Sequence, residues 1–117
     1  MELIDTHTHL DFPDFDSDRR DVLAHSRELG VRRMVVLGVY RQNWQRLWDL
    51  VQADEGLFAA FGLHPVYLDD HRPADLVELA DWLTRLHGHR QLCAVGEIGL
   101  DYFLETLDRE RQQHLFE

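Results

Sequence analysis

The chain has 117 residues, which is room for one ordinary domain. It carries 22 acidic residues against 12 basic ones, all of them Arg, for a formal charge of −10 at pH 7. That balance excludes a protein that coats nucleic acid or an anionic membrane by charge alone. The 44% apolar content excludes a disordered chain, and the lone Cys93 excludes an internal disulfide framework. No apolar run approaches the ~20 residues of a membrane span, and the acidic N-terminus does not read as a signal peptide. The expected location is cytoplasmic, with no membrane partner.

In chain order, Leu3 to His9 alternates apolar and polar residues and predicts a strand. Asp18 to Leu29 predicts a helix with Ser17 or Asp18 as N-cap and Gly30 just past its end. Met34 to Val39 is a continuous apolar run, the pattern of a strand buried on both faces. Trp44, Leu47, Trp48 and Val51 share one helix face, so the tryptophans read as helix-to-sheet packing. Leu57 to Leu63 predicts a third strand. Pro73 opens a helix whose face carries Leu76, Leu79, Ala80 and Leu83, with Gly88 as its stop. Leu92 to Ile98 predicts a fourth strand, and Leu107 to Glu117 the start of a fourth helix.

Strands alternating with amphipathic helices at a period of about 30 residues imply a parallel α/β sheet with helical crossovers. Two architectures fit this pattern: a small doubly wound sheet, or part of a (β/α)8 TIM barrel, which needs ~250 residues in full. The last segment is strongly helical and carries no Gly, Asn or Pro to end it. This favours an incomplete barrel, residues 1–117 forming about the first four βα units as a single incomplete domain.

Chemistry concentrates where the predicted strands end. Asp5, His7 and His9 alternate on the first strand and so share a face, and two imidazoles spaced this way can chelate one divalent ion. The third strand ends in Gly62-Leu63-His64-Pro65, the fourth in Gly96-Glu97-Ile98-Gly99-Leu100-Asp101. Parallel α/β folds bind ligands at the carboxyl ends of their strands. His7, His9, His64, Glu97 and Asp101 are therefore expected on one rim. Glu97 interrupts an apolar strand, where an unpaired carboxylate costs several kcal/mol. It reads either as a structural ion pair to an Arg or as a metal ligand, and the two histidines on the same rim favour the ligand. His87 and His89 read as a solvated helix end, His25 and His71 as surface residues, and Cys93 as an inert residue in a buried strand. Phosphate-binding loops, dinucleotide-binding glycines and a serine-hydrolase elbow have no counterpart in the chain.

Ile4-Asp5-Thr6-His7-Thr8-His9-Leu10-Asp11, Gly62-Leu63-His64-Pro65 and Ala94-Val95-Gly96-Glu97-Ile98-Gly99-Leu100-Asp101, followed by Glu110-Arg111-Gln112-Gln113, together resemble the TatD-like metal-dependent hydrolases. The resemblance covers almost the whole chain. It implies a (β/α)8 barrel with one or two divalent ions (Zn, Mg or Mn). It implies that His7, His9 and Glu97 are metal ligands, Glu97 bridging two ions, and that His64 contacts substrate. It implies deoxyribonuclease or phosphodiesterase action on DNA, single-stranded or at ends, with the general base on a later strand. Members of that family are roughly twice as long, and draw two further histidines and an aspartate from strands beyond the fourth. The resemblance therefore implies that the full ligand set requires the later strands. A hydrolase of a small-molecule ester, amide or phosphoester is the second reading, and an inactive half-barrel that needs a partner half or self-association is the third.

Overall fold

The computed structural model describes residues 1–117. Four strands, β1 (Leu3–Thr8), β2 (Val31–Leu37), β3 (Leu57–Phe61) and β4 (Leu92–Val95), alternate with helices α1 (Arg19–Glu28), α2 (Trp44–Gln52), α3 (Pro73–Arg85) and α4 (Arg109–Phe116). Short 3-10 turns occupy Pro13–Phe15, Arg41–Asn43 and Pro65–Asp70. All strand pairs are parallel, in the order β1-β2-β3-β4. A doubly wound sheet reverses its strand order at a switch point. This sheet does not, so its topology is that of four consecutive staves of a barrel.

The core forms where α1 and α2 cover β2 and β3. Trp44, Leu47 and Val51 of α2 are fully buried against Leu57, Ala59 and Phe61 of β3 and Met34 and Val36 of β2. Trp44 and Trp48 both pack against the Phe61 ring, with centroids 6.2 and 6.1 Å away, as the helix period predicts. Gln91, also buried, aims its amide at the carbonyls of Val51, Asp54 and Leu57 at 2.8–3.0 Å and ties the end of α2 to the start of β3. Gly30 closes α1 at φ +102°, where a Cβ would lie 2.6 Å from the Met1 carbonyl oxygen. Asp75 accepts from the Arg72 N–H at 2.9 Å and so closes the first turn of α3.

The structure corrects several expectations. The strands are shorter at their carboxyl ends: β2, β3 and β4 turn into loops at Gly38, Gly62 and Gly96, and β1 ends one residue early at Thr8. β2 is not buried on both faces: Met34 and Val36 are buried, Val35 and Leu37 only half-buried. Cys93 is exposed, because β4 is the last strand of the sheet and only its β3 side is paired. Ile4 on β1 is 57% exposed and Val95 on β4 49% exposed for the same reason. Leu76 on the apolar face of α3 is also exposed, since that helix packs less closely on the sheet than α2 does.

Leu47→Ala removes a fully buried side chain and should cost about 3 kcal/mol of stability, measured by urea unfolding. At the α2–β3 turn, Asp54 accepts from Arg27 of α1 at 2.5 Å and from the Gly56 N–H at 2.8 Å. Burial pushes its pKa up, but the Arg27 hydrogen bond and charge and the Gly56 N–H outweigh that and hold it below 3.8. The pair therefore stabilises the fold above the ordinary carboxylate range and stops doing so as pH falls through the lowered value. Asp54→Asn should cost about 1 kcal/mol near pH 7. Urea midpoints of variant and wild type should converge in acid below 3.8.

Candidate metal centre

Glu97 comes from the fourth strand unit and the two histidines from the first, with β2 and β3 between them. The chain bridges that gap by leaving β4 and crossing the end of β3. The Gly96 N–H donates to the Phe61 carbonyl at 2.8 Å, and the Glu97 N–H reaches the Gly38 carbonyl, beyond β2, at 2.8 Å. The crossing needs glycine beneath it: a Cβ on Gly62 would sit 2.5 Å from the Gly96 carbonyl carbon and 2.8 Å from the Glu97 nitrogen. Trp44 supports the crossing from below, its indole N–H 3.3 Å from the Gly62 carbonyl.

Glu97 Oε2 then lies 3.2 Å from His7 Nε2 and 3.4 Å from His9 Nε2. One atom from each of these three residues fits within 4.8 Å of the others. His9 is oriented by its other nitrogen: Nδ1 is 3.2 Å from the Leu37 carbonyl, which can only accept. The Nδ1 proton therefore points at Leu37, and a neutral His9 turns the Nε2 lone pair toward Glu97. On the far side of Glu97, His64 Nδ1 accepts from the Val66 N–H at 3.0 Å, so the proton sits on Nε2 and is donated to Glu97 Oε1 at 3.0 Å. That leaves Oε2 buried with no hydrogen-bond partner.

An orphaned carboxylate oxygen facing the His9 lone pair is a repulsion that a cation relieves. The donor set suits a first-row divalent ion. Ligand atoms bound at ~2.1 Å around one ion are about 3.0–3.4 Å apart, and the separations of Glu97 Oε2 from the two histidines fall in that range. Three imidazoles face Glu97, so the alternative of an ion pair to an Arg does not hold. Asp5 is not part of the cluster. Its Oδ1 accepts from the His7 N–H at 2.9 Å, and the β1–β2 register is irregular between Asp5 and Thr8, which breaks strict alternation. Asp101 also stands apart, since its Oδ1 accepts from the Phe103 N–H at 2.9 Å.

Several supporting residues escaped the motif reading. Asp11, in the loop after β1, is buried and accepts from the Asn43 side-chain amide. Burial pushes its carboxyl up to about 6, against its own backbone hydrogen bond and the charges of His9, Arg19 and Arg46. His71, expected at the surface, is buried, and its Nε2 is 2.8 Å from the His64 carbonyl. Burial holds His71 below the ordinary histidine range, so it is neutral at pH 7, with Nε2–H donating to His64. Gln112 is buried between two loops: Oε1 accepts from the Asp101 N–H at 2.7 Å and Nε2 donates to the Asp101 carbonyl at 2.9 Å. Polar residues buried by loop packing carry no periodic signal, which is why the sequence hid them. His89 is half-buried edge-on to Trp48 at 4.9 Å, while His25 and His87 are exposed, as expected.

A protein-family model described as TatD related DNase matches residues 4–117. The chain is 39% identical over 114 residues to the uncharacterized metal-dependent hydrolase YjjV of Escherichia coli strain K12, covering 97% of this chain and 43% of the relative. It is 30% identical over 119 residues to the human deoxyribonuclease TATDN3, covering 95% of this chain and 43% of that protein. The crystal structure of the YjjV protein, a TatD homolog, superposes with a TM-score of 0.90 at 38% identity, over 97% of this chain and 43% of that one. A TatD family hydrolase from Entamoeba histolytica, 20% identical, shares the fold at a TM-score of 0.83 over 99% of this chain and 44% of its own. The chain thus spans less than half the length of the relatives it matches.

A cation seated among the three donors should be lost with Oε2 and loosened with its support. Mn(II) affinity, measured by titration calorimetry, is expected to fall about 100-fold or more in Glu97→Gln and about 10-fold in His64→Ala. Equal affinity in wild type and Glu97→Gln would show that the cluster holds no metal.

Proposed function

Because this chain belongs to the TatD-related DNase family, we propose that residues 1–117 supply the first four βα units of a TatD-type barrel and part of its divalent-metal site for phosphodiester hydrolysis. The observation that carries this reading is the buried, unpartnered Glu97 Oε2 between His7 and His9. His7, His9 and Glu97 hold the ion, one or two of Zn, Mg or Mn, and His64 fixes the orientation of Glu97 and lies beside the substrate. A divalent ion in this seat supplies Lewis acidity toward a phosphoryl oxygen and an attacking water. The chain's own part is positional. Leu37 fixes the His9 tautomer, His64 turns Oε2 inward, and the crossing over Gly62 sets the distance between β1 and Glu97. The general base and the remaining donors belong to barrel units beyond these four strands.

DNA, single-stranded or at its ends, is the substrate class that the family description and a DNase-named relative support. A charge of −10 opposes broad groove binding and suits a site that grips phosphate through cations. The same charge favours the second reading, a small-molecule phosphoester, ester or amide. The exposed edge strands β1 and β4 support association with a further half-barrel or a second copy.

The test is hydrolysis of a single-stranded oligodeoxynucleotide with Mn(II), Mg(II) or Zn(II), with sedimentation to define the assembly. Activity is expected to vanish in EDTA and to fall at least 100-fold in His7→Ala and Glu97→Gln. Undiminished activity in both variants would overturn the assignment, and turnover of an ester panel without DNA cleavage would establish the small-molecule reading.

A further inference from the structure

The rim carries a second feature that the metal donors do not use. From His9 the ring of Phe12 is 5.2 Å away, Tyr40 is 6.5 Å from Phe12, Tyr67 is 5.1 Å from Tyr40, and His64 is 5.8 Å from Tyr67. This arc of aromatic rings starts at one metal-donor histidine and ends at the histidine that holds Glu97. Phe12, Tyr40 and Tyr67 are half-buried, and none of them belongs to the hydrophobic core or packs against it. The arc therefore has no core-packing role, unlike Trp44 and Trp48. Tyr40 and Tyr67 line an open groove together with Gln42 and Asp70.

We infer that this arc is a stacking platform for the base of a nucleotide whose phosphate sits at the His7, His9 and Glu97 cluster; the inference rests on the metal-site reading above. Aromatic faces bind any base by stacking. The carboxamide of Gln42 offers both a donor and an acceptor to a base edge, and Asp70 accepts from base amino groups. No Arg lines the groove, and the Asp70 carboxylate repels phosphate. These charges orient the ligand with its base over the tyrosines and its phosphate toward the metal donors. An acidic protein would in this way recognise a nucleotide by its base where a basic groove is absent.

The test compares binding of 2′-deoxyadenosine 5′-monophosphate with 2-deoxyribose 5-phosphate to the full 117-residue chain by calorimetry, in Mn(II) and in EDTA. The nucleotide is expected to bind about 10-fold or more tightly than the sugar phosphate, the scale of one base on one aromatic ring. Tyr67→Ala should bring the two affinities together by weakening only the nucleotide, and Tyr67→Phe should retain the preference to within about 3-fold. Equal affinities in wild type, or equal loss of both ligands in Tyr67→Ala with Tyr67→Phe no better, would overturn the inference. Failure of the metal site itself shows separately as absent Mn(II) binding, and the base preference in EDTA then decides the platform alone.

Discussion

The site depends on one backbone crossing. Past β4 the chain passes over Gly62 and hydrogen-bonds to Gly38, which moves Glu97 two strands sideways to the histidines of β1. A side chain on Gly62 would occupy the space of the Gly96–Glu97 peptide and push the carboxylate away. The hydrogen bonds of Gly96 and Glu97 replace the ladder that ends at Val95, so the crossing segment is held at both residues. The rest of the centre is arranged around a carboxylate whose position is set in this way.

Around that carboxylate the protein spends its polar groups on orientation. Backbone atoms direct the His9 and His64 rings: the Leu37 carbonyl takes the proton of one, and the Val66 N–H occupies the lone pair of the other. His71 holds the His64 carbonyl, and Gln112 grips the loop after Glu97 through both hydrogen-bonding groups of Asp101. Asp11 and Asn43 join the loop after His9 to the start of α2. These contacts restrict three side chains positioned to hold an ion, and a preorganised ligand set would lose less entropy on binding one. The burial of Glu97 Oε2 without a partner is the cost of that preorganisation, and a bound cation removes it.

The four strands also leave large parts of the architecture open. Both edge strands present unpaired backbone and exposed apolar residues, and relatives more than twice as long share this segment at high structural similarity. Three donors are fewer than a catalytic divalent ion uses in full, so further ligands must come from elsewhere or from solvent. The aromatic arc from Phe12 to Tyr67 is contributed entirely by the loops after β1, β2 and β3, so the proposed stacking platform lies within these four units.

The sequence by itself determined the order and type of the four strands and four α-helices, since the apolar period separates strand from helix. It also determined the chemistry available at the strand ends, since His7 and His9 alternate at the end of the first strand and His64 and Glu97 stand beside the glycines that end the third and fourth apolar runs. Only the tertiary structure decided which of these groups meet. Asp5 and Asp101 lie as close in sequence to the rim as the clustered residues do, yet each turns onto a neighbouring backbone N–H. The burial of Asp11, His71 and Gln112, the exposure of Cys93, and the arc of tyrosines were likewise settled by which loops and edges pack together. Periodicity reports the environment within one element, whereas these features depend on distances between elements far apart in the chain, and such distances are set by where the backbone crosses.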